Sequence, residues 1–127
     1  MLTREQIMAM KPGPEMDQIV NKKLFGFTVR AHRDIAKLGL PFDRSDFLPS
    51  SFLPNAWEVV KKVHETIGPM ILSNNDYRGW YSCGFYLDDV TIVETEAETA
   101  PLAICRAFLL ADLERSERQS EEIEEQD

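Results

Sequence analysis

The segment of residues 70–95 constrains the fold more than any other part of the chain, because it contains three runs of strand-forming residues separated by turn-forming ones. Residues 80–87 place alternate side chains on two faces, as a strand does. Asp88 and Asp89 suit a hairpin turn before the third run, at residues 90–95. The first run, at residues 70–72, is followed by a longer polar turn. The segment therefore predicts a small antiparallel sheet.

Two amphipathic helices flank this sheet segment. Apolar residues recur at helical spacing from Leu53 to Ile67. This stripe includes Trp57, which we expect in the core, and His64, which we expect in the core or at its boundary. Thr99 is a candidate N-cap for a final helix. The apolar face of that helix is wide, which predicts burial against the sheet.

The N-terminal part predicts two more helices and a strand. Thr3 and Gln6 have the spacing of a capping box, and Pro14 suits the first position of a second helix. Residues 27–31 alternate apolar and polar side chains, which predicts a short strand. Residues 41–54 hold three prolines and predict a long surface loop.

These elements place the chain in the α+β class, as a three-layer α/β/α sandwich with a small antiparallel sheet of three to four strands. A chain of 127 residues has room for one domain, which we assign to residues 1–116. Residues 117–127 contain six acidic residues and one basic residue, and they predict a disordered acidic tail.

Charge, hydropathy and cysteine content narrow the classes of function. The formal net charge is −8, so overall charge gives no support to nucleic-acid binding. No apolar run reaches the roughly 20 residues of a membrane span, and the N-terminus lacks a secretory pattern, so we expect a soluble, non-secreted protein. Cys83 and Cys105 are expected to be buried free thiols. The two histidines and two cysteines lack metal-site spacing, and no cofactor-binding motif occurs.

The turn-rich stretch between the first two runs of the sheet segment is the strongest candidate site. It contains Asn74, Arg78 and Trp80, a combination that stacks on and pairs with nucleotides and phosphates and also anchors protein interfaces. Arg30 and His32, at the end of the predicted N-terminal strand, form a cationic patch suited to an anion. The alternatives are an ordinary polar connection and a solvated strand end. No group of residues predicts catalysis, so we expect a protein that is not an enzyme.

Four segments of the chain follow a known pattern in the same order. They are residues 3–13 (TREQIMAMKPG, against TREEI-AM-PG), residues 16–20 with 26–27 (MDQIV and GF, against LD-LVAEKVMGW), residues 55–60 (NAWEVV, against AAWEVVEK) and residues 100–107 (APLAICRA, against APLAICRAAL). Taken together, the chain resembles the phage ABA sandwich domain family, small proteins of tailed phages and prophages, and more distantly the NinX-like phage proteins.

The resemblance implies an α/β/α sandwich of phage or prophage origin, and it brings no established activity and no catalytic residues. It implies an accessory binding protein of the host bacterial cytoplasm that sequesters or blocks a host factor, such as a nucleotide immune signal, without catalysis. Two alternatives stay open: a protein-blocking inhibitor or nucleic-acid mimic that uses its acidic surface and tail, and a small nucleotide hydrolase. We expect a host protein or small nucleotide as partner, and self-association as a homodimer or higher homo-oligomer.

Overall fold

The computed structural model describes residues 2–25, 48–75 and 79–125, and these ranges contain four helices and three strands. In chain order the elements are α1 (Arg4–Ala9), α2 (Pro14–Phe25), α3 (Leu53–Thr66), β1 (Met70–Asn75), β2 (Trp80–Tyr86), β3 (Ile92–Ala97) and α4 (Ala100–Glu125). The strand predicted at residues 27–31 and most of the loop predicted at residues 41–54 lie outside the described residues.

Local signals set where the first two helices begin. The capping box of α1 is confirmed: the backbone N–H of Gln6 donates to Thr3 Oγ1 over 3.2 Å, and the N–H of Thr3 donates to Gln6 Oε1 over 2.9 Å. Gly13 has a φ of 151°, which residues with a side chain rarely adopt, and the chain turns there into α2. Helix α2 begins at Pro14, as predicted.

The three strands form one antiparallel sheet in the order β1–β2–β3. Phe85 of β2 lies opposite Met70 of β1 and Val93 of β3, so the three side chains share the face that packs against α4. Strand β1 continues to Asn75, beyond the predicted residues 70–72. Backbone pairing with β2 outweighs the weak strand propensity of asparagine.

Strand β3 begins later than predicted, at Ile92. The carboxylate of Asp88 accepts hydrogen bonds from the backbone N–H groups of Val90 (2.9 Å) and Thr91 (2.8 Å), which closes the connection from β2 as a turn. Val90 therefore lies in the turn, where its side chain is 89% exposed. The predicted turn at this position is confirmed, and the side-chain hydrogen bonds explain the shift of the strand.

Helix α4 lies between the sheet and the other described helices. From Leu102 to Ala111 its residues are buried, apart from the half-buried Arg106. The helix contacts β2 and β3, and it also contacts α1, α2 and α3. Its wide apolar face is thus covered within the chain itself. The α+β class, and the sandwich of helices with a small antiparallel sheet, are confirmed.

Trp57 does not lie in the core, and His64 lies neither in the core nor at its boundary, so both predictions are wrong. The buried side of α3 is formed by Ala56, Val59 and Val63. Trp57 is 42% exposed, and His64 is also exposed. Each follows a buried residue directly, and one position along a helix rotates the side chain by about 100°, which is enough to turn it out of the interface.

The segment predicted as a disordered tail is helical in its described part. Helix α4 continues to Glu125, so no break in secondary structure falls at residue 116. Arg118 lies 3.8 Å from the carboxylate of Glu114 one turn earlier, and 3.2 Å from the carboxylate of Asp88. Such pairs, together with the good helix propensity of glutamate, arginine and glutamine, extend the helix beyond its buried half.

Candidate functional site

Two of the predicted site residues, Asn74 and Trp80, lie in the described ranges. Asn74 is exposed on β1 and pairs with Tyr81, whereas the half-buried Trp80 begins β2. Adjacent residues of a strand point to opposite faces, so Asn74 and Trp80 are on opposite faces of the sheet and are not brought together. The remaining predicted site residues lie outside the described residues: Arg30, His32 and Arg78.

Trp80 lines an open cleft of about 510 Å³. Both α1 and the sheet pack on α4, and the cleft is the gap between them, with α4 as its floor. One wall is the end of α1 and the residues after it, and the other is the start of β2 and the end of β3. The lining residues are Met8, Ala9, Met10, Lys11, Pro12, Trp80, Ala97, Glu98, Leu102 and Arg106.

Arg106 provides the positive charge of the floor. Its Nη1 donates to the carbonyl oxygen of Glu96 over 2.9 Å, and its Nη2 donates to that of Met10 over 3.3 Å. Its Nε is buried and has no hydrogen-bond partner among the described residues. Burial lowers the pKa of the guanidinium and the carboxylate of Glu98 acts in the opposite direction, yet arginine stays charged at neutral pH.

Two more charges lie on opposite walls of the cleft. Lys11 follows α1, and Glu98 follows β3; both residues are exposed. Trp80 lies on the same wall as Glu98 and offers an aromatic ring, while Met8 and Met10 add apolar surface across from it. A concave surface that combines apolar area with a few polar groups is typical of small-molecule sites. This cleft is suited to a ligand with a flat ring and an anionic group.

Sequence patterns do not predict Arg106, Lys11 or Glu98 as site residues. One signal does exist, because Arg106 is the single cation in the apolar run of residues 100–111. A charge that enters a buried helical segment needs polar partners, so such a residue marks a place where backbone carbonyls or a ligand approach the helix.

A buried pair of Asp17 and Ser50 forms a second polar cluster. Ser50 donates its hydroxyl (2.7 Å) and its backbone N–H (2.8 Å) to Oδ1 of Asp17, and its Oγ accepts from the N–H of Gly13 (2.9 Å). Burial raises the pKa of Asp17, and the hydrogen bonds from Ser50 oppose this. Because Ser50 is completely buried, its hydroxyl has no access to a substrate. The pair fastens the segment before α3 to α2.

Other candidate positions offer less chemistry. A second depression, of about 410 Å³, lies between the end of α3 and the β2–β3 turn, and its charged lining residues are Asp88 and Asp89. Asp88 is already bound to the turn and to Arg118. Within the described ranges, no three histidine, cysteine, aspartate or glutamate side chains are grouped so that they could hold a metal ion. The cleft between α1 and the sheet is therefore the candidate site.

Comparison with known proteins identifies the family. The family model for the phage ABA sandwich domain matches residues 5–109. The chain belongs to this family. The resemblance drawn from the four sequence segments is thus confirmed, and all the lining residues of the cleft fall inside the matched range of the family domain. No protein of curated function matches the sequence.

A solved structure agrees with the family assignment. The crystal structure of a phage protein from Bacillus cereus ATCC 14579 is similar, with 25% sequence identity and a TM-score of 0.59, over 81% of this chain and 93% of that one. Among the helices that the structure describes, none is both long enough and apolar enough to cross a membrane. The protein is accordingly a member of a phage protein family with an α+β sandwich fold.

Proposed function

We propose that this protein is a phage or prophage accessory protein that binds a small anionic host factor, of the nucleotide type, and sequesters it without catalysis. The observation that supports this is the cleft in which Trp80, Lys11 and Arg106 line one space of about 510 Å³. Pockets of roughly 300–1,000 Å³ are the usual size for small ligands. Sequestration of an immune signal in the host cytoplasm would make this an anti-defence protein.

The electrostatics of the cleft favour an anion. Within the described ranges, none of the ion pairs includes Arg106, and the lining holds two cations, Lys11 and Arg106, against one carboxylate, Glu98. Partial burial reduces the screening of that charge by water. An aromatic ring in the same cleft as these cations gives a surface on which a base can stack while its phosphate stays near Lys11 and Arg106.

The chemistry of the lining favours binding over turnover. Hydrolysis of a nucleotide calls for a nucleophile or an activated water and a group that moves a proton. The lining contains one carboxylate, Glu98, and no histidine, serine, threonine or cysteine. Glu98 is exposed, and nothing in the described lining is placed to act with it as an acid–base pair.

Native mass spectrometry of the protein purified from its bacterial host tests this proposal. We expect a retained small molecule that is lost from Trp80→Ala and kept by Trp57→Ala, the matched control on the exposed side of α3. The same spectra report the subunit count, for which we expect a dimer or higher homo-oligomer. A bound molecule recovered chemically unchanged after denaturation supports sequestration, whereas a recovered product supports the hydrolase alternative. Absence of any retained molecule contradicts the proposal.

One observation favours the alternative of a protein-blocking inhibitor or nucleic-acid mimic. Glu94 and Glu96 occupy alternate positions of the edge strand β3, on the face away from α4. Deleting residues 119–127 removes the acidic end of α4 and leaves the contacts of Arg118 with Asp88 and Glu114 in place. A mimic should lose its inhibitory effect on host defence after this deletion, and more so with Glu94→Gln added. A protein that acts through the cleft should keep it.

A further inference from the structure

The two walls of the cleft carry charges of opposite sign. The wall that follows α1 contains Lys11, and the wall at the end of the sheet contains Glu98 and Trp80. A ligand that fills the cleft therefore meets a cation at one side and an acceptor beside an aromatic ring at the other. This arrangement of opposite charges restricts the chemistry of the ligand more than the requirement for an anionic group alone does.

Arg106 has a different role from Lys11. Two of its nitrogens are engaged by the carbonyl oxygens of Glu96 and Met10, one at the end of each wall, and its Nε is buried. Arg106 is therefore a positioning residue that sets the distance between the walls and adds a fixed positive charge below them. Lys11, which is exposed, is free to move onto the anionic group of a ligand.

We infer that the cleft binds a nucleoside monophosphate whose base carries an exocyclic amino group, with the phosphate towards Lys11 and the amino-bearing base between Trp80 and Glu98. A phosphate supplies the anion, a base supplies the flat ring for stacking, and the amino group supplies the donor that a carboxylate accepts. The volume of about 510 Å³ suits a ligand of this size. This inference rests on the proposed function and narrows its ligand.

Fluorescence of Trp80 tests the inference. Trp57→Phe leaves Trp80 as the only tryptophan, because the chain has two. In this background we would titrate adenosine 5′-monophosphate, cytidine 5′-monophosphate, adenosine, and N6,N6-dimethyladenosine 5′-monophosphate, which has the same charge and ring but no amino N–H. We expect the unmodified monophosphates to change the fluorescence and to bind about tenfold more tightly than the other two probes.

Two substitutions test the protein contacts at the two ends of the ligand independently. Lys11→Gln should abolish the preference for monophosphate over nucleoside and leave the preference for the amino N–H. Glu98→Gln should abolish the preference for the amino N–H and leave the preference for monophosphate over nucleoside, because a neutral amide accepts a hydrogen bond less strongly than a carboxylate. Lys61→Gln is the matched control, since Lys61 is an exposed lysine of α3 outside the cleft, and it should change neither preference.

The outcomes distinguish this inference from the proposed function. The inference fails if the monophosphates bind no more tightly than adenosine or the dimethylated analogue, or if either variant lowers both preferences equally. If another small molecule co-purifies and is lost from Trp80→Ala, the inference fails and the proposed function stands. If nothing co-purifies and none of the four probes binds, both are wrong.

Discussion

Arg106 donates a hydrogen bond of 3.3 Å to the carbonyl oxygen of Met10, a residue 96 positions earlier in the chain. Met10 is the C-cap of α1, where carbonyl groups lack partners within the helix and where a cation is electrostatically favoured. The same guanidinium holds the carbonyl of Glu96 at 2.9 Å. One side chain thus joins the two family segments at residues 3–13 and 100–107 and fixes the walls of the cleft.

Replacing Arg106 should destabilise the fold through these carbonyls. Arg106→Ala leaves the carbonyl groups of Glu96 and Met10 without their donor, and we expect the free energy of unfolding to fall by about 1–3 kcal/mol. Arg106→Lys should recover only part of this loss, because an ammonium lacks the planar fork of the guanidinium that reaches both carbonyl oxygens. Urea denaturation measures the effect. Arg115→Ala, which removes a single exposed hydrogen bond to Thr66, is the control and should cost about 0.5 kcal/mol or less.

Ser50→Ala should loosen the segment that precedes α3. The substitution removes a hydroxyl that donates to Asp17 over 2.7 Å and accepts from the N–H of Gly13 over 2.9 Å. Because these groups are buried or partly buried, we expect a loss of about 1–3 kcal/mol in unfolding free energy. Ser51→Ala changes an exposed neighbour and should be nearly neutral. Equal stability of the two variants would contradict this role of the hydroxyl.

The pH dependence of stability should carry a contribution from Asp17. Burial raises its pKa in the folded state, so the folded protein binds this proton more tightly than the unfolded chain does. The stabilising contribution is complete below the ordinary aspartate pKa of 3.8 and is lost as the pH rises through the raised value. Asp17→Asn removes this dependence. The unfolding free energy of the parent minus that of the variant should therefore decrease as the pH rises from about 4 towards neutrality. A difference that is constant or increases would contradict the raised pKa.

The two thiols should be unreactive in the folded protein. Cys83 and Cys105 are both unpaired and fully buried. Burial raises the pKa of Cys83 to about 12, with a further contribution from Glu94, and burial also raises the pKa of Cys105. Since the thiolate is the reactive form, we expect no reaction with Ellman's reagent at pH 8 and two reactive thiols after denaturation. Rapid modification of either thiol in the native protein would contradict this burial.

Gly68→Ala should be among the more damaging substitutions in the chain. A Cβ at this position would collide with the backbone carbonyl of Tyr86, which is held in the sheet and cannot move aside. We expect a loss of about 2 kcal/mol or more, measured by thermal denaturation. Gly79→Ala is the comparison: among the described residues its Cβ would meet no atom within 4 Å, so the cost is that of its φ of 67°, about 1 kcal/mol. A smaller effect at Gly68 than at Gly79 would contradict the steric argument.

Features encoded within one turn of chain were predictable from the sequence. The capping box at Thr3, the start of α2 at Pro14 and the cap at Thr99, whose Oγ1 accepts from the N–H of Leu102 over 3.3 Å, depend on neighbours three residues away or fewer. The side of α3 that faces inward was predicted less well. Trp57 has the hydrophobicity of a core residue, and only the position of α4 determines that Ala56 is buried and Trp57 is exposed.

The candidate site was likewise predicted only in part, because residue types are visible in the sequence and the positions of side chains in space are not. The sequence identified Trp80 through its residue type, together with Asn74 as a neighbour, but the strand alternation puts their side chains on opposite faces. Arg106 and Lys11 are separated by most of the chain, and no local pattern relates them. They line one cleft because α1 and the sheet pack on the same helix.

By itself, the sequence determined the α+β class, the helix starts and the turn at Asp88, because each depends on short-range hydrogen bonds or on the periodicity of apolar residues. It also determined the family, through the four segments that match the family pattern. Only the tertiary structure decided that α4 is enclosed by sheet and helices, that it continues through the acidic segment to Glu125, and that Arg106 joins Met10 to Glu96. The physical reason is that burial and long-range pairing depend on which surfaces meet in space, and that information is not contained in local spacing.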